Sequence, residues 1–201
     1  MGTLECYENI ISSVKLIRSV GYTVHAKKSI LVPTQEIDFL GFILNSANMT
    51  VTLLQEKKEK IRSLCLDILS NPHITIQKLA CIIGNFISAM PAIPFGKLHY
   101  RTLETSKILA LKHNAGNFDS MLSLNKESLE EIEWWSKNIM SAIADINLPT
   151  IDKTIFTDAS SLGWGIYYNG VSNGIRWNTE EQELHINILE LIAIFNGLKL
   201  F

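Results

Sequence analysis

The dipeptide Asn169-Gly170 places the tightest limit on how this chain can fold. Asn-Gly fills the two positive-φ positions of a tight hairpin turn, so the residues on either side must fold back antiparallel. The flanking runs suit that: Gly163 to Tyr168 on one side, Ile175-Arg176-Trp177 on the other. Asn173-Gly174 offers the same chemistry, and either pair can make the turn. A further strand, Thr154 to Asp158, precedes the hairpin, and from about Leu184 a helical pattern runs to the chain end. Its spacing puts Leu184, Ile188, Leu191, Ile192, Phe195 and Leu198 on a core stripe. The C-terminal part therefore reads β-β-β-α.

The chain before Pro149 follows another pattern. Leu4 to Val20 reads as a helix with Ile10, Ile11, Val14, Ile17 and Arg18 at helical period and Gly21 as its stop. Tyr22-Thr23-Val24 is strand-like. Glu36 to Leu44 alternates and then runs apolar, and with Met49 to Leu53 it reads as a β-hairpin around Asn45-Ser46-Ala47-Asn48. Helices are expected over Gln55–Leu69, from Thr75 to about Met90, over His99–Leu111 and over Lys126–Ala144. The fold class is α+β, with a domain boundary near residues 145–153 and no internal repeat.

Composition excludes several classes. The chain of 201 residues is 47% apolar and 19% charged, the reverse of a disordered segment. Cys6, Cys65 and Cys81 form neither a disulfide framework nor a CxxC knuckle, which fits a reducing compartment. Glu5, Glu8 and Lys15 interrupt the N-terminus, so it lacks the apolar core of a signal peptide. The longest uncharged run, Leu79 to Gly96, holds Asn85, Ser88, Pro91 and Pro94, which suit a lipid-spanning helix poorly. The expectation is a soluble intracellular chain, cytoplasmic or nuclear, with no membrane partner. Residues 1–112 carry 13 basic and 8 acidic side chains, a net of +5, and residues 113–201 carry 5 and 12, a net of −7. A basic part can lie along a polyanion, and solvated helix faces give the same count.

Two carboxylates stand out. Asp158 ends an apolar strand just before Ala159, Ser160 and Ser161, which places it at the edge of a core. Glu190 has Ile186, Ala193 and Ile194 as helix neighbours. A Glu among apolar positions costs several kcal/mol unless paired or metal-bound, and a Glu that reaches the helix edge is solvated instead. Two such groups suit a shared divalent cation.

Phe156-Thr157-Asp158-Ala159-Ser160, Gly163-Trp164-Gly165, Trp177, Glu183 with His185-Ile186-Asn187, and Leu189-Glu190-Leu191 together resemble the start of a retroelement ribonuclease H domain. More narrowly they resemble that of DIRS-type, tyrosine-recombinase retrotransposons. The resemblance implies that Asp158 and Glu190 are catalytic ligands for Mg²⁺, with Mn²⁺ as a substitute, in cutting the RNA strand of an RNA–DNA hybrid.

Upstream, Gly21 to Ser29, Val32-Pro33-Thr34-Gln35 and Phe39-Leu40-Gly41-Phe42 resemble the end of a reverse transcriptase palm, with His25 where the family usually has Asn. The likeness implies that Lys28, beside its competitor Lys27, lies near the incoming nucleotide's phosphates. It also implies that Phe39, Leu40 and Gly41 belong to the hairpin that grips the primer. Ile83-Gly84, Ala89-Met90-Pro91 and Gly96 to Arg101 resemble the thumb and connection. There Lys57, Lys58, Lys60 and Arg62 on one helix, and Lys97, His99 and Arg101 beyond the next, are implied contacts to the sugar–phosphate backbone. Glu56 and Glu59 interleave with the first group, so a solvated helix with local ion pairs is equally compatible. Trp134 and Trp135 read as core, because Ile132 and Ile139 extend the stripe beside them.

These likenesses divide the chain into palm end and hairpin (1–54), thumb and connection (55–148) and the first half of a ribonuclease H-like domain (149–201). They imply a partner, RNA–DNA hybrid or primer–template duplex. The sequence holds no Asp-Asp pair of the polymerase type. The expectation is therefore an internal slice of a polyprotein lacking its flanking domains, with the oligomeric state unspecified. A non-catalytic nucleic-acid-binding remnant, or an inactive pseudogene product, is the alternative.

Overall fold

A computed structural model describes residues 3–147 and 151–200. They gather into two units, Met1–Asn147 and Leu148–Phe201. The centre of the expected boundary, residues 148–150, lies outside the described residues.

In the first unit, α1 (Thr3–Ser19) ends where Gly21 takes φ +90°. None of α1's described side chains is buried. Tyr22 to Val24, expected as a strand, is irregular, because no described strand pairs with it. β1 (Glu36–Phe39), β2 (Phe42–Asn45) and β3 (Thr50–Leu53) form an antiparallel meander. One expected strand is thus two. Leu40 and Gly41, at φ +50° and +85°, split it with a two-residue turn between the paired Phe39 and Phe42.

After α2 (Gln55–Ser70), the short β4 (His73–Thr75) leads into α3 (Ile76–Ala89), whose N-terminus is capped by the Thr75 hydroxyl accepting from Lys78 N–H. α4 (Arg101–His113), β5 (Met121–Ser123), α5 (Lys126–Asn138) and β6 (Ala144–Asp145) complete the unit. β5 pairs with β4, and β6 pairs with β3. α5 stops at Asn138, short of the expected Ala144, because Ala144 is taken into that sheet.

The core of this unit joins Ile61, Cys65 and Ile68 of α2 to Leu79, Ile82 and Phe86 of α3 and Ile132 and Trp135 of α5. Phe86 and Trp135 stack at 4.2 Å and 5°. The Trp135 indole N–H donates to the His99 carbonyl at 2.7 Å. Gly96 is a glycine for a packing reason, since a Cβ there would lie 3.0 Å from the Trp135 ring. Trp134 is half-buried, and the His99 ring stacks on it at 4.0 Å. The Glu131 carboxylate is buried and accepts from the Thr102 and Leu103 N–H groups, both at 3.0 Å. It satisfies two of the donors that α4 leaves open at its start.

In the second unit, β7 (Phe156–Ala159), β8 (Gly163–Tyr168) and β9 (Val171–Arg176) form an antiparallel sheet in that order. The turn falls at Asn169-Gly170, both at positive φ, with Asn173-Gly174 inside β9. α6 (Thr179–Gln182) opens on a capping box between Asn178 and Glu181. α7 (Ile186–Leu200) covers one face of the sheet with Leu189 and Ala193, against Trp164, Ile166 and Trp177.

The expected core stripe of this last helix is corrected. Ile192 alone of the six packs against the core as a half-buried residue, while Leu184, Ile188, Leu191, Phe195 and Leu198 are exposed. The helix approaches the sheet on its small residues. At Gly197 a Cβ would come 2.5 Å from Ile166 Cδ1 and 3.1 Å from Thr157 Cγ2. Among the described residues no helix is long and apolar enough to cross a membrane.

Candidate nucleic-acid interface

The first group of residues is built around the turn at Leu40-Gly41. A turn with two positive-φ residues matches the twist of the strands it joins, and it lifts the tip clear of the sheet. Phe39 and Leu40 are 56% and 78% exposed, an apolar tip facing solvent. The Gly41 carbonyl accepts from Leu54 N–H at 3.2 Å, which ties the tip to the start of α2. One turn into α2, the half-buried Lys57 lies 4.9 Å over the Phe42 ring and donates to the Ser88 carbonyl at 3.2 Å. A Cβ on Gly41 would stand 3.5 Å from Lys57 Cδ. The tip, the first turn of α2 and the end of α3 thus meet at one ammonium group. Burial, and then the like charge of Lys60, hold the Lys57 ammonium below the usual lysine range.

Lys60 is exposed. None of Lys57, Lys58, Lys60 and Arg62 forms an ion pair among the described residues, so Glu56 and Glu59 do not neutralise this helix edge through such pairs. Lys58 is different and is withdrawn from the interface. It is 8% exposed, its ammonium donates to the Met140 carbonyl at 3.2 Å, and burial lowers its pKa. Successive helix residues point about 100° apart, which turns Lys57 outward and Lys58 into the α2–α5 contact.

Among the described residues, no hydrogen bond or ring contact joins the other basic residues of the expected interface to this group. Lys28 ends a short 3₁₀ turn, Ala26–Lys28, and is exposed, as is Lys27. Lys97 is exposed on the turn Gly96–Leu98, beside Phe95, which takes φ +63°. It lies on an open groove of about 690 Å³ whose other charged residue is Asp145. Arg101 opens α4 with its guanidinium 5.0 Å over the Tyr100 ring.

In the second unit, Asp158 is exposed on β7, an edge strand. Its neighbours Thr157 and Ala159 face α7, so Asp158 projects from the opposite face of the sheet. Glu190 is exposed on α7, the solvated one of the two arrangements that the sequence leaves open: Ile186 and Ile194 beside it are themselves exposed. Among the described residues no group of three or more His, Cys, Asp or Glu side chains is placed to hold a metal ion. Arg176 and Gly165, to which the sequence assigns no role of their own, share the Asp158 face by register. The signal available for Gly165 was a glycine inside a strand.

No family model and no curated protein sequence matches this chain. Solved structures do. A foamy viral protease-reverse transcriptase in complex with RNA/DNA hybrid superimposes with a TM-score of 0.53 at 19% identity, over 99% of this chain and 26% of that one. A second structure of foamy viral protease-reverse transcriptase, in complex with double-stranded DNA, gives 0.51 at 20% identity, over 99% of this chain and 34% of that one. The chain spans about a third or less of those proteins' lengths. It has a reverse transcriptase-like α+β fold.

Proposed function

We propose that this chain is part of a retroelement reverse transcriptase, and that its first unit holds an RNA–DNA hybrid or primer–template duplex. The observation that carries this is an exposed tip, Phe39-Leu40, whose neighbouring Gly41 lies against the half-buried Lys57. An apolar tip contacts sugars and base edges, and a partly desolvated ammonium contacts phosphate more strongly than a fully hydrated one. Lys60 extends the basic edge. Lys97, Arg101 and Lys28 are further backbone contacts in this reading.

The division into palm end (1–54), thumb and connection (55–148) and ribonuclease H-like module (149–201) belongs to the same proposal. So does the DIRS-type origin, which rests on the residues quoted from Phe156 to Leu191. The protein works inside the cell, in cytoplasm or nucleus.

Asp158 and Glu190 are hard oxygen donors, and Mg²⁺ is often held by one or two carboxylates together with substrate phosphates. The donor chemistry fits that metal, with Mn²⁺ as a substitute. When bound, the metal would supply Lewis acidity at the scissile phosphate. The residues' own part is to offer two exposed carboxylates, one on β7 and one on α7. Two are fewer than a cluster of three, which supports a second reading for this chain alone: duplex binding with little or no cleavage.

The test is binding of a labelled RNA–DNA hybrid across a salt series. Each phosphate contact adds about −0.9 to the slope of log affinity against log salt. Lys57→Ala with Lys60→Ala should flatten the slope by about 2 and weaken binding at every salt concentration. A slope unchanged by both substitutions sinks the interface. Cleavage in Mg²⁺, lost in both Asp158→Asn and Glu190→Gln, would favour the enzyme over the binding remnant.

A further inference from the structure

A cavity of about 440 Å³ in the second unit is lined by Asp158 and Arg176, with Gly163, Gly165 and Gly174 between them. The register explains the arrangement. Asp158, Gly165 and Gly174 form one cross-strand row, and Gly163 with Arg176 forms the next on the same face. Asp158 and Arg176 stand two strand spacings apart across the sheet and one row apart along it, about 12 Å in all.

Glycine inside a strand weakens it, so each of the three needs a reason. Two have one in the backbone. A Cβ at Gly163 would lie 2.7 Å from the Ile175 carbonyl oxygen, and one at Gly174 would lie 2.6 Å from that of Trp164. Gly165 has no such reason. The nearest atom to a Cβ there is the Asn173 carbonyl oxygen at 3.9 Å. Its φ is not positive, and its pairing with Asp158 and Gly174 is unbroken, so neither a left-handed conformation nor a bulge requires glycine. The remaining reason is the close approach of something outside the sheet.

The charges say what approaches. Arg176 is exposed and has no ion-pair partner among the described residues. Its planar fork of donors matches a phosphate. Asp158 is an exposed acceptor opposite it, suited to a hydroxyl. We infer that Gly165 keeps this cavity open for the sugar–phosphate chain of a nucleic-acid strand, with a phosphate on Arg176 and a sugar hydroxyl on Asp158. The inference rests on the reading that the chain binds nucleic-acid duplex, and it adds a contact in the second unit and a residue that sets its shape.

The test uses the whole chain with ¹⁵N-labelled glycine, of which there are 11, titrated with a short RNA–DNA hybrid. Gly41 reports the first unit, and Gly163 and Gly174 report this cavity. All three amides should shift in the parent chain. In Gly165→Val, the Gly163 and Gly174 shifts should disappear while the Gly41 shift remains and the melting temperature does not fall. Arg176→Gln should reduce the same two shifts at least severalfold, and it keeps the test decisive if the valine variant folds poorly. Gly163 and Gly174 shifts that persist in both variants overturn the inference, as does a parent chain in which Gly41 shifts and they do not. No shift at any of the three overturns the duplex-binding reading and takes this inference with it.

Discussion

Cys65 is fully buried, and burial pushes its thiol up to about 12 from an ordinary value of 9.0. The folded state therefore keeps a proton that the unfolded chain releases. The stabilisation is fully present below pH 9 and is lost as pH rises from there through the folded value, at up to about 1.4 kcal/mol per pH unit. Lys57 and Lys58 act in the opposite sense, since their lowered values favour the folded chain as pH rises towards 10.5. Alkaline urea titrations of Cys65→Ala beside the parent isolate the thiol, and the parent should lose its advantage between pH 9 and 12. A thiol reagent at neutral pH should label the exposed Cys81 quickly and Cys65 only on unfolding. The neighbouring lysines make a sharper pair. Lys58→Met removes a buried ammonium and its cost together, so stability should change by no more than about 1 kcal/mol and hybrid affinity should hold. Lys57→Met should weaken hybrid binding with little change in melting. Equal effects of the two on binding would undo the assignment of one lysine outward and the other inward.

At the scale of elements, two glycines, one fixed by its backbone angle and one by its packing, give opposite kinds of test. Gly41→Ala places a Cβ at φ +85°, so it should cost about 1 kcal/mol in the turn and loosen the tip that carries Leu40. Gly197→Ala gains about 1 kcal/mol of helix propensity but drives a methyl into Ile166 and Thr157. Overpacking of that kind costs about 1–3 kcal/mol, so the net change in thermal melting should be a loss. These cases also show what the sequence could and could not reveal. α2, α3 and the hairpin of β8 and β9 were legible because amphipathic period or turn chemistry marks them, although Asn173-Gly174 left the position of the turn open. The face of α7 was not. It is apolar on every side, so period cannot choose, and the close approach of Ile166 and Thr157 selects the side with Ala193 and Gly197. β4, β5 and β6, of two or three residues each, carry no pattern long enough to read. The extra turn at Leu40-Gly41 was hidden by the apolar run on either side of it. Of the candidate site, the residue types were legible and their orientation was not: Lys57 and Lys58 differ only in which way one helix residue turns.

At the scale of the whole molecule, the charge split seen along the chain does not follow the two units. Residues 1–147 carry 15 basic and 14 acidic side chains, a net of +1, and residues 148–201 carry 3 and 6, a net of −3. Net charge therefore cannot draw the first unit to a polyanion, and any salt-dependent binding must come from local groups of basic side chains such as the edge of Lys57 and Lys60. With separate cores built on Trp135 and on Trp164 and Trp177, the units should unfold in two steps. Calorimetry should show Gly197→Ala lowering one transition and leaving the other in place; a single transition shifted as a whole would show that the cores are coupled.

The outward side of α7 has a consequence for the chain's life in a cell. Leu191, Phe195 and Leu198 present 57–66% of their surface to water along one helix. Exposed apolar surface of this sort is what holdase chaperones and quality-control proteases bind, and their triage sets abundance as strongly as thermodynamic stability does. Expressed by itself, the chain should turn over fast. Replacing those three residues with Glu, Gln and Lys should lengthen its half-life in a pulse–chase experiment without changing the melting of the buried Leu189–Ala193 side.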